Sequence, residues 1–330
     1  MPEPPALTIV IPAHDAASTL PHCLAAADGV SGCEVVVVDD ASTDRTAAIA
    51  ETAGARVIHL AKQSGPAAAR NAGVAVANSE IVLFLDSDVK MHRDVAEKVL
   101  NCFREHPALA AVFGSYDDAP AASGFVSQYK NLMHHYVHQT SSEDAKTFWC
   151  GCGAIRKDIF LNAGGLDAQR YPRPQIEDVE LGTRLVSQGH RILLDKSIQV
   201  THLKKWTLTG LLRSDILDRA LPWTELLHSG VTGLGDLNLK IVHRISALLA
   251  FGVIAAFLAG FFLPWIWLVG VAVLAVFLLL NGDLYLFYYR KRGLFFALRS
   301  MPMHFFYYLY STVGYAWGTV RWLIKRNRQH

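Results

Sequence analysis

The sequence predicts an α/β fold built on a mostly parallel sheet, followed by a membrane-associated helical region. Short β-branched runs alternate with helix-length, Ala-rich segments through the first two thirds of the chain, which is the pattern of βαβ units. Two long uncharged stretches occupy the last third. Of the 330 residues, 52% are hydrophobic and 18% charged, which excludes a disordered chain and favours membrane contact.

The predicted strands are continuous apolar runs that end in polar residues. Runs of this length are typical of strands buried on both faces of a sheet. They cover residues 7–13, 33–40, 56–60, 80–88 and 110–116, with a later strand at 198–202. Between the early runs, residues 43–53 and 66–78 have the length and composition of helices.

Charge and cysteine content narrow the classes of partner and compartment. Residues 290–330 carry eight of the 31 Lys and Arg residues and no Asp or Glu. These cations are interleaved with aromatic residues directly after an apolar stretch, which favours an anionic membrane surface over nucleic acid. The five cysteines are scattered without metal-ligand spacing, which indicates reduced thiols in a cytosolic domain. The N-terminal segment has no signal-peptide layout.

Acidic residues close the predicted strands at the sheet edge where ligands bind in parallel α/β folds. Asp39-Asp40 ends the second run, and Asp86-Ser87-Asp88 ends the fourth. The carboxylates of Asp86 and Asp88 suit Mg²⁺ or Mn²⁺ bound together with phosphate oxygens, and a solvated turn is the alternative interpretation of this segment. No GxGxxG follows the first strand and no Walker lysine motif occurs, which excludes dinucleotide-binding dehydrogenases and P-loop enzymes.

Two further segments allow both structural and binding interpretations. Asp40 is followed by Ser42, Thr43 and Asp44, all acceptable helix caps, but its carboxylate also suits the N–H groups of a base or the hydroxyls of a ribose. Arg70 lies in an Ala-rich predicted helix, from which it could reach a phosphate or a base.

Together these segments resemble family 2 glycosyltransferases of the GT-A (nucleotide-diphospho-sugar transferase) fold. The resemblance covers roughly residues 6–225, and its motifs follow the order of the family. They are IVIPAHDAASTL (9–20), VVVDDASTD (36–44), GPAAARNAG (65–73), LFLDSDV (83–89), GCGAIRKDIF with GGLD (151–167) and IEDVELGTRL (176–185).

The resemblance implies a donor site and a metal site, with Mn²⁺ or Mg²⁺ as cofactor. Asp88 matches the metal-bearing acid of the family. Asp86 is expected to contact the ribose and is also a candidate metal ligand. His202 ends the strand at 198–202 and matches a histidine that completes the metal shell in several relatives, although a structural histidine is the alternative. The nucleoside and phosphate contacts implied by the resemblance are Pro12, His14, Asp40 and Arg70.

The resemblance also implies a catalytic pair, Glu177-Asp178, in which Asp178 matches the general base. An acceptor hydroxyl is a poor nucleophile, so a positioned carboxylate is needed to take its proton. Ordinary N-terminal helix charges are the alternative interpretation. Arg219 and Trp223 match only loosely an Arg/Trp motif at the acceptor side of membrane-bound relatives, because their spacing departs from it.

The expected domain organisation is a catalytic domain at 1–225, a juxtamembrane linker at 226–244, two transmembrane helices within 245–289 and a basic aromatic segment at 290–330. The uncharged stretches Ile245–Leu263 and Trp265–Leu280 are near the roughly 20 residues of a spanning helix. Flanking Lys and Arg residues place both ends of this hairpin in the cytosol. Residues 301–320 suit an interfacial helix better than a third span.

These features predict a multi-pass protein of the inner (plasma) membrane with a cytoplasmic catalytic domain. It would be an inverting glycosyltransferase that moves a sugar from a nucleotide donor, expected to be a UDP-sugar, to a hydroxyl of a lipid or lipid-linked acceptor. A polyprenyl-phosphate glycosyltransferase is the first alternative, although its ionised acceptor needs no base. A non-catalytic membrane subunit that keeps the fold is the second.

Overall fold

The computed structural model describes residues 5–27, 30, 32–230 and 241–327. The chain divides into two compact units, Met1–Trp206 and Thr207–His330. Each unit has an apolar core of its own.

In its described residues, the first unit is built on a nine-stranded sheet. The sheet order is β3-β2-β1-β4-β8-β6-β9-β5, with β7 paired to β9. The strands are β1 (Leu7–Ala13), β2 (Cys33–Asp39), β3 (Arg56–His59), β4 (Ile81–Leu85), β5 (Val89–Met91), β6 (Leu109–Tyr116), β7 (Asp144–Ala145), β8 (Cys152–Arg156) and β9 (Arg191–His202).

The five early predicted strands are confirmed as β1, β2, β3, β4 and β6. The sheet is mixed, however, where the sequence predicted a mostly parallel one. The half formed by β1 to β4 is parallel, whereas β8 runs antiparallel to β4 and β6 and both β5 and β7 run antiparallel to β9. Strands β5 and β7 have only three and two residues, which is too short for a periodic hydrophobic signal. Strand β8, with the sequence CGAIR, is not a β-branched run.

Helices cover both faces of the sheet. The helices of this unit are α1 (Leu20–Ala27), α2 (Thr46–Thr52), α3 (Pro66–Val76), α4 (Val95–Glu105), α5 (Phe125–Thr140), α6 (Lys157–Asn162) and α7 (Glu177–Ser187). Because successive strand residues point to opposite faces, Ile9 and Ile11 pack with α1, α2 and α4, while Val10 packs with α3, α6 and α7.

Two glycines allow close backbone approaches that position α3 and α7. Gly65 precedes Pro66 at the start of α3 and has a left-handed φ of 87°; a Cβ there would lie 2.3 Å from the carbonyl oxygen of Pro172. Gly182 lies in the middle of α7, where a Cβ would be 2.1 Å from the backbone nitrogen of Phe148. Helix α7 therefore lies directly against the backbone at Phe148.

The second unit is helical in its described residues. Its elements are α8 (Leu208–Arg213), a π-helical segment (Ser214–Ala220), α9 (Leu221–His228), α10 (Ile241–Ala259), α11 (Ile266–Leu280), α12 (Gly282–Arg292) and α13 (Leu294–Asn327). The small residues Gly314 and Gly318 of α13 face Ala220 and Thr224. This packing places residues 207–225 with the C-terminal helices, where the sequence grouped them with the catalytic domain.

The predicted helical pair around Pro264 corresponds to α10 and α11. Gly260 lies against Trp267, and Gly270 lies against Phe257, so the two helices pack in antiparallel register. Helix α10 has 19 residues with a mean hydropathy of 2.1 and is the one described helix that is long and apolar enough to span a membrane alone. Helices α11 and α12 meet these criteria only together, as a pair bent by 62°. Residues 301–320 lie within the 34-residue α13.

We expect Gly182→Ala to destabilise the first unit. Alanine improves the helix propensity by up to about 1 kcal/mol, but its Cβ would overlap the backbone of Phe148, and overpacking costs about 1–3 kcal/mol. Chemical denaturation of the full chain in detergent, followed by tryptophan fluorescence, measures the net loss. Gly124→Ala is the control, because nothing lies within 4 Å of a Cβ at that position; equal stability of the two variants would contradict the close packing of α7.

Candidate active site

The carboxyl ends of β1, β2 and β4 lie side by side, because these strands are parallel neighbours in the sheet. Two residues other than glycine have left-handed backbones in the turns that follow, Asp15 with φ 46° and Ala41 with φ 55°. The carboxylate of Asp15 accepts the backbone N–H of Thr43 at 2.7 Å, and this bond holds the pKa of Asp15 below its usual value. Unfavourable backbone conformations persist only where surrounding bonds fix them, so these turns are rigidly determined.

The three residues predicted to hold the nucleoside lie at this edge. Pro12 is paired in register with Val38 near the ends of β1 and β2. The ring Nδ1 of His14 is 2.8 Å from the carbonyl oxygen of Asp40. The buried carboxylate of Asp40 accepts the backbone N–H groups of Ser64 at 2.6 Å and Gly65 at 2.8 Å. It therefore fixes the loop that leads into α3, a role that the sequence did not predict.

Arg70 joins two predicted site residues from separate elements. Its Nη2 donates to Oδ1 of Asp86 at 2.7 Å, and its Nη1 donates to Oε1 of Glu177 at 2.9 Å. Arg70 and Glu177 are 5% and 4% exposed, so the bond between them is protected from water, whereas the Asp86 side chain is 30% exposed. The guanidinium thus ties α3 to the end of β4 and to the start of α7.

Asp88 and His202 face each other across the pair β5–β9. The register places His202 opposite Val89, and the His202 Nε2 lies 3.7 Å from the Asp88 Oδ2. The His202 ring is buried and stacks on Tyr116 with centroids 4.3 Å apart. Desolvation raises the pKa of Asp88, but the interactions of the Asp88 carboxylate with His202 and Lys204 outweigh desolvation. The net effect is a pKa below the usual value for an aspartate. The Asp88 carboxylate is therefore kept ionised.

The predicted metal ligands are brought together only in part. Asp88 and His202 form a pair, while Asp86 is engaged by Arg70. Among the described residues, no group of three or more His, Cys, Asp or Glu side chains is arranged to hold a metal ion. An oxygen ligand beside an imidazole still fits Mn²⁺ or Mg²⁺, because such ions are often bound by one or two protein groups together with substrate phosphates.

The two acidic residues at the start of α7 differ in their surroundings. Both carboxylate oxygens of Glu177 are bonded, one to Arg70 and the other to the backbone N–H of Gln175 at 2.9 Å. Asp178 is half-buried and accepts the backbone N–H of Cys150 at 3.1 Å. Desolvation and the adjacent Glu177 raise the pKa of Asp178 to about 6, while Arg70 opposes the shift. Asp178 therefore changes protonation state near neutral pH.

Arg219 and Trp223 lie in the second unit. Arg219 belongs to the π-helical segment and Trp223 to α9. Their predicted contact with the acceptor side stays a prediction.

Lys204 is a candidate site residue that the sequence reasoning missed. It lies two residues beyond His202, and its charge contributes to the lowered pKa of Asp88. Its Nζ lies 4.4 Å from the ring centroid of Trp206, and the backbone N–H of Trp206 donates to Ser127 Oγ at 2.8 Å. The available signal was a pair of lysines directly after a strand that ends in histidine.

Comparison with solved structures identifies the fold as GT-A. Mannosyltransferase PcManGT from Pyrobaculum calidifontis, in complex with GDP-Man and Mn²⁺, matches with a TM-score of 0.56 at 18% identity over 96% of this chain and 88% of that chain. A Staphylococcus aureus TarS fragment in complex with UDP-GlcNAc matches with a TM-score of 0.54 at 17% identity, covering 73% of this chain and 69% of that one. At these identities the likeness establishes the fold alone.

Sequence comparison then gives the family. Residues 8–162 match the family model described as glycosyl transferase family 2. Pre-mycofactocin glycosyltransferase of Mycobacterium tuberculosis is 30% identical over 210 residues, which is 59% of this chain and 42% of that protein. The 4,4'-diaponeurosporenoate glycosyltransferase of Staphylococcus aureus is 26% identical over 77% of this chain and 68% of that protein. The chain is thus similar to family 2 glycosyltransferases, with the family match in residues 8–162.

We expect Arg70→Met to destabilise the fold strongly. The substitution leaves the Asp86 and Glu177 carboxylates without their cation, and breaking a buried pair in this way costs about 3–5 kcal/mol. The loss should be smaller at low pH, because burial raises the pKa of Asp86, and this carboxylate, once stranded without its cation, regains stability by taking up a proton. Urea denaturation of the full chain at two pH values measures both effects.

Arg56→Met is the matched control for this substitution. The Arg56 side chain is 45% exposed and lies 3.2 Å from Glu34, and exposed ion pairs contribute at most about 1 kcal/mol. Equal, pH-independent losses in the two variants would contradict the buried character of the Arg70 bridge.

Proposed function

We propose that the protein is an inverting glycosyltransferase that moves a sugar from a nucleoside diphosphate donor, expected to be UDP, to a hydroxyl of a lipid or lipid-linked acceptor. The supporting observation is that two carboxylates of the first unit are held in different electrostatic states. Asp88 is kept ionised beside His202 and Lys204, whereas the pKa of Asp178 is raised to about 6. The first state suits binding of a cation and a diphosphate, and the second suits exchange of a proton.

The donor would lie along the ends of β1, β2 and β4. Pro12, His14 and Asp40 are grouped there and would contact the nucleoside. Asp86 would contact the ribose. The Nε of Arg70 is buried and has no hydrogen-bond partner among the described residues, which leaves one N–H of this side chain for the donor.

A divalent ion, Mn²⁺ or Mg²⁺, would be held by Asp88 and His202, with Asp86 nearby. When bound, such an ion neutralises the charge that develops on a diphosphate leaving group. Lys204 places a second cation beside Asp88 and would contribute to the same neutralisation. Among the relatives, PcManGT is described in complex with GDP-Man and Mn²⁺.

Asp178 would act as the general base. Its carboxylate takes the proton of the acceptor hydroxyl while the oxygen forms a bond to the anomeric carbon of the sugar and the nucleoside diphosphate departs with the electrons of the broken bond. This single displacement inverts the anomeric configuration. A base with a pKa near the working pH combines a sufficient ionised fraction with a sufficient affinity for the proton.

The membrane part of the proposal rests on the helices of the second unit. At about 1.5 Å per residue, α10 is about 28 Å long, close to the hydrocarbon thickness of a bilayer. The large apolar side chains of α10, α11 and the segment between them are widely exposed, for example Phe262 at 87% and Leu279 at 80%. We propose that these helices anchor the protein in the inner membrane with a cytoplasmic catalytic domain; release of the full chain from membranes by alkaline carbonate would contradict the anchor.

The principal rivals differ in acceptor chemistry and in catalysis. A polyprenyl phosphate acceptor is already ionised and gives Asp178 no proton to take, and its product would be labile to mild acid. A non-catalytic subunit would bind no donor. The raised pKa of Asp178 favours a hydroxyl acceptor and an active enzyme.

We expect UDP with Mn²⁺ to stabilise the detergent-purified full chain against thermal unfolding. A ligand at about 100 times its Kd adds roughly 2.7 kcal/mol to the stability of the native state. GDP and CDP are compared in parallel, and Asp88→Ala should remove the part of the effect that depends on Mn²⁺. The absence of a response to every nucleotide would favour the non-catalytic subunit.

Lys204→Met and Lys205→Met form a matched pair within the same experiment. Both lysines are exposed and adjacent, but Lys204 is the one that influences Asp88. Lys204→Met should weaken UDP binding and reduce its dependence on salt, while Lys205→Met should behave as wild type. Equal effects of the two substitutions would remove Lys204 from the donor site.

We expect Asp178→Asn to abolish transfer while donor binding is kept. General-base catalysis contributes a factor of about 10² to 10⁴ to the rate, so kcat should decrease by a factor in that range. In the wild type, kcat/KM should decline as the pH drops through about 6, because the protonated carboxylate cannot accept a proton. A pH-rate profile and UDP affinity measured on both proteins test this; turnover of the variant at the wild-type rate would contradict the assignment.

A further inference from the structure

The contacts of Glu177 restrict what this residue can do in the reaction. Its Oε1 accepts from Arg70 Nη1 at 2.9 Å, its Oε2 accepts the backbone N–H of Gln175 at 2.9 Å, and the residue is 4% exposed. A proton could reach this carboxylate only at the expense of its bond to a buried cation. Asp178, by contrast, is bonded by backbone N–H groups and is half-buried.

Arg70 fixes the position of Glu177 relative to Asp86, which lies at the end of β4. The same guanidinium donates to Asp86 at 2.7 Å, and its planar arrangement of donors sets the geometry of both bonds. The start of α7 is therefore held against the end of β4 by a single rigid group. Asp178, the next residue in α7, takes its position from this attachment.

We propose that Glu177 and Arg70 are positioning residues that place Asp178 relative to the donor end of the sheet, and that Glu177 does not itself exchange a proton with the acceptor. The inference rests on the proposed role of Asp178 as general base. It assigns separate tasks to two adjacent acidic residues that the sequence presents as a pair.

The charges around Asp178 make this proposal testable. The titratable and charged groups that influence it are Glu177 on its own helix, Arg70 on α3 and Cys150 in the loop before β8. Burial raises the pKa of the Cys150 thiol well above its usual value, so this group is neutral. Glu177 raises the pKa of Asp178, and Arg70 lowers it. Removal of the Glu177 charge must therefore lower the pKa of Asp178.

The experiment compares the full chain in detergent with its Glu177→Gln and Arg70→Lys variants. Release of nucleoside diphosphate from UDP-GlcNAc or GDP-Man, whichever the binding experiment selects, is followed as a function of pH, with the hydroxyl of water accepting the sugar. Glu177→Gln should reduce kcat by about 10- to 100-fold through misplacement, leave KM for the donor near wild type, and move the acid limb of the profile to lower pH by roughly one unit.

Arg70→Lys separates position from charge. Lysine keeps the positive charge but lacks the fork that reaches both carboxylates, so kcat should fall while the acid limb stays near its wild-type pH. The thermal unfolding midpoint, measured on each variant, establishes that the protein is folded. UDP affinity, measured alongside, reports separately any loss of the proposed donor contact of the Arg70 Nε. If Glu177→Gln does not fold, the Arg70→Lys result decides the question, since wild-type kcat in that variant would refute positioning by the bridge.

Other results would overturn the inference. Loss of turnover in Glu177→Gln as complete as in Asp178→Asn would make Glu177 the base, and an unchanged kcat and acid limb would leave it no role. The proposed function fails in a different way, through absence of transfer in the wild type or full activity of Asp178→Asn. The two failures are therefore distinguishable.

Discussion

The bridge made by Arg70 is the constraint on which the arrangement of the candidate site depends. One buried guanidinium holds the carboxylates of Asp86 and Glu177 at 2.7 and 2.9 Å. Without it, the carboxylates of Asp86 and Glu177 would lie at the end of β4 and the start of α7 with no cation between them, which is costly for the buried Glu177. With it, Asp86 and Glu177 are fixed in place, and the neighbouring Asp88 and Asp178 are left with different surroundings.

The four acidic residues have separate roles, and this separation connects the fold to the proposed chemistry: Asp86 and Glu177 are held by Arg70, while Asp88 and Asp178 are left for binding and catalysis. The mixed sheet contributes directly, because the antiparallel pairing of β5 with β9 brings His202 to Asp88, while the bridge attaches the start of α7 to the end of β4. Asp88 is kept ionised and Asp178 titrates near neutral pH. Asp88 is thus suited to holding a cation and a diphosphate, whereas the similar side chain of Asp178 is suited to accepting a proton.

The sequence predicted the parts of this structure that leave a local signal. The parallel strands β1, β2, β3 and β4, the helical pair around Pro264 and the acidic strand ends are all continuous patterns in the chain. The bridge joins residues 107 positions apart, so no local pattern reports it, and the Arg70 motif indicated only a donor contact. The antiparallel strands β5 and β7 were missed because they have only three and two residues, and β8 was missed because its sequence, CGAIR, is not a β-branched run. The roles of Glu177 and Lys204 became apparent only from three-dimensional contacts.

The most direct test of this division is to locate Mn²⁺ by anomalous diffraction from crystals of the full chain grown with UDP. The account predicts one manganese peak bound by Asp88, His202 and the diphosphate, with Arg70 still bridging Asp86 and Glu177. A peak bound by Asp86 and Glu177, with Arg70 displaced from both, would contradict it.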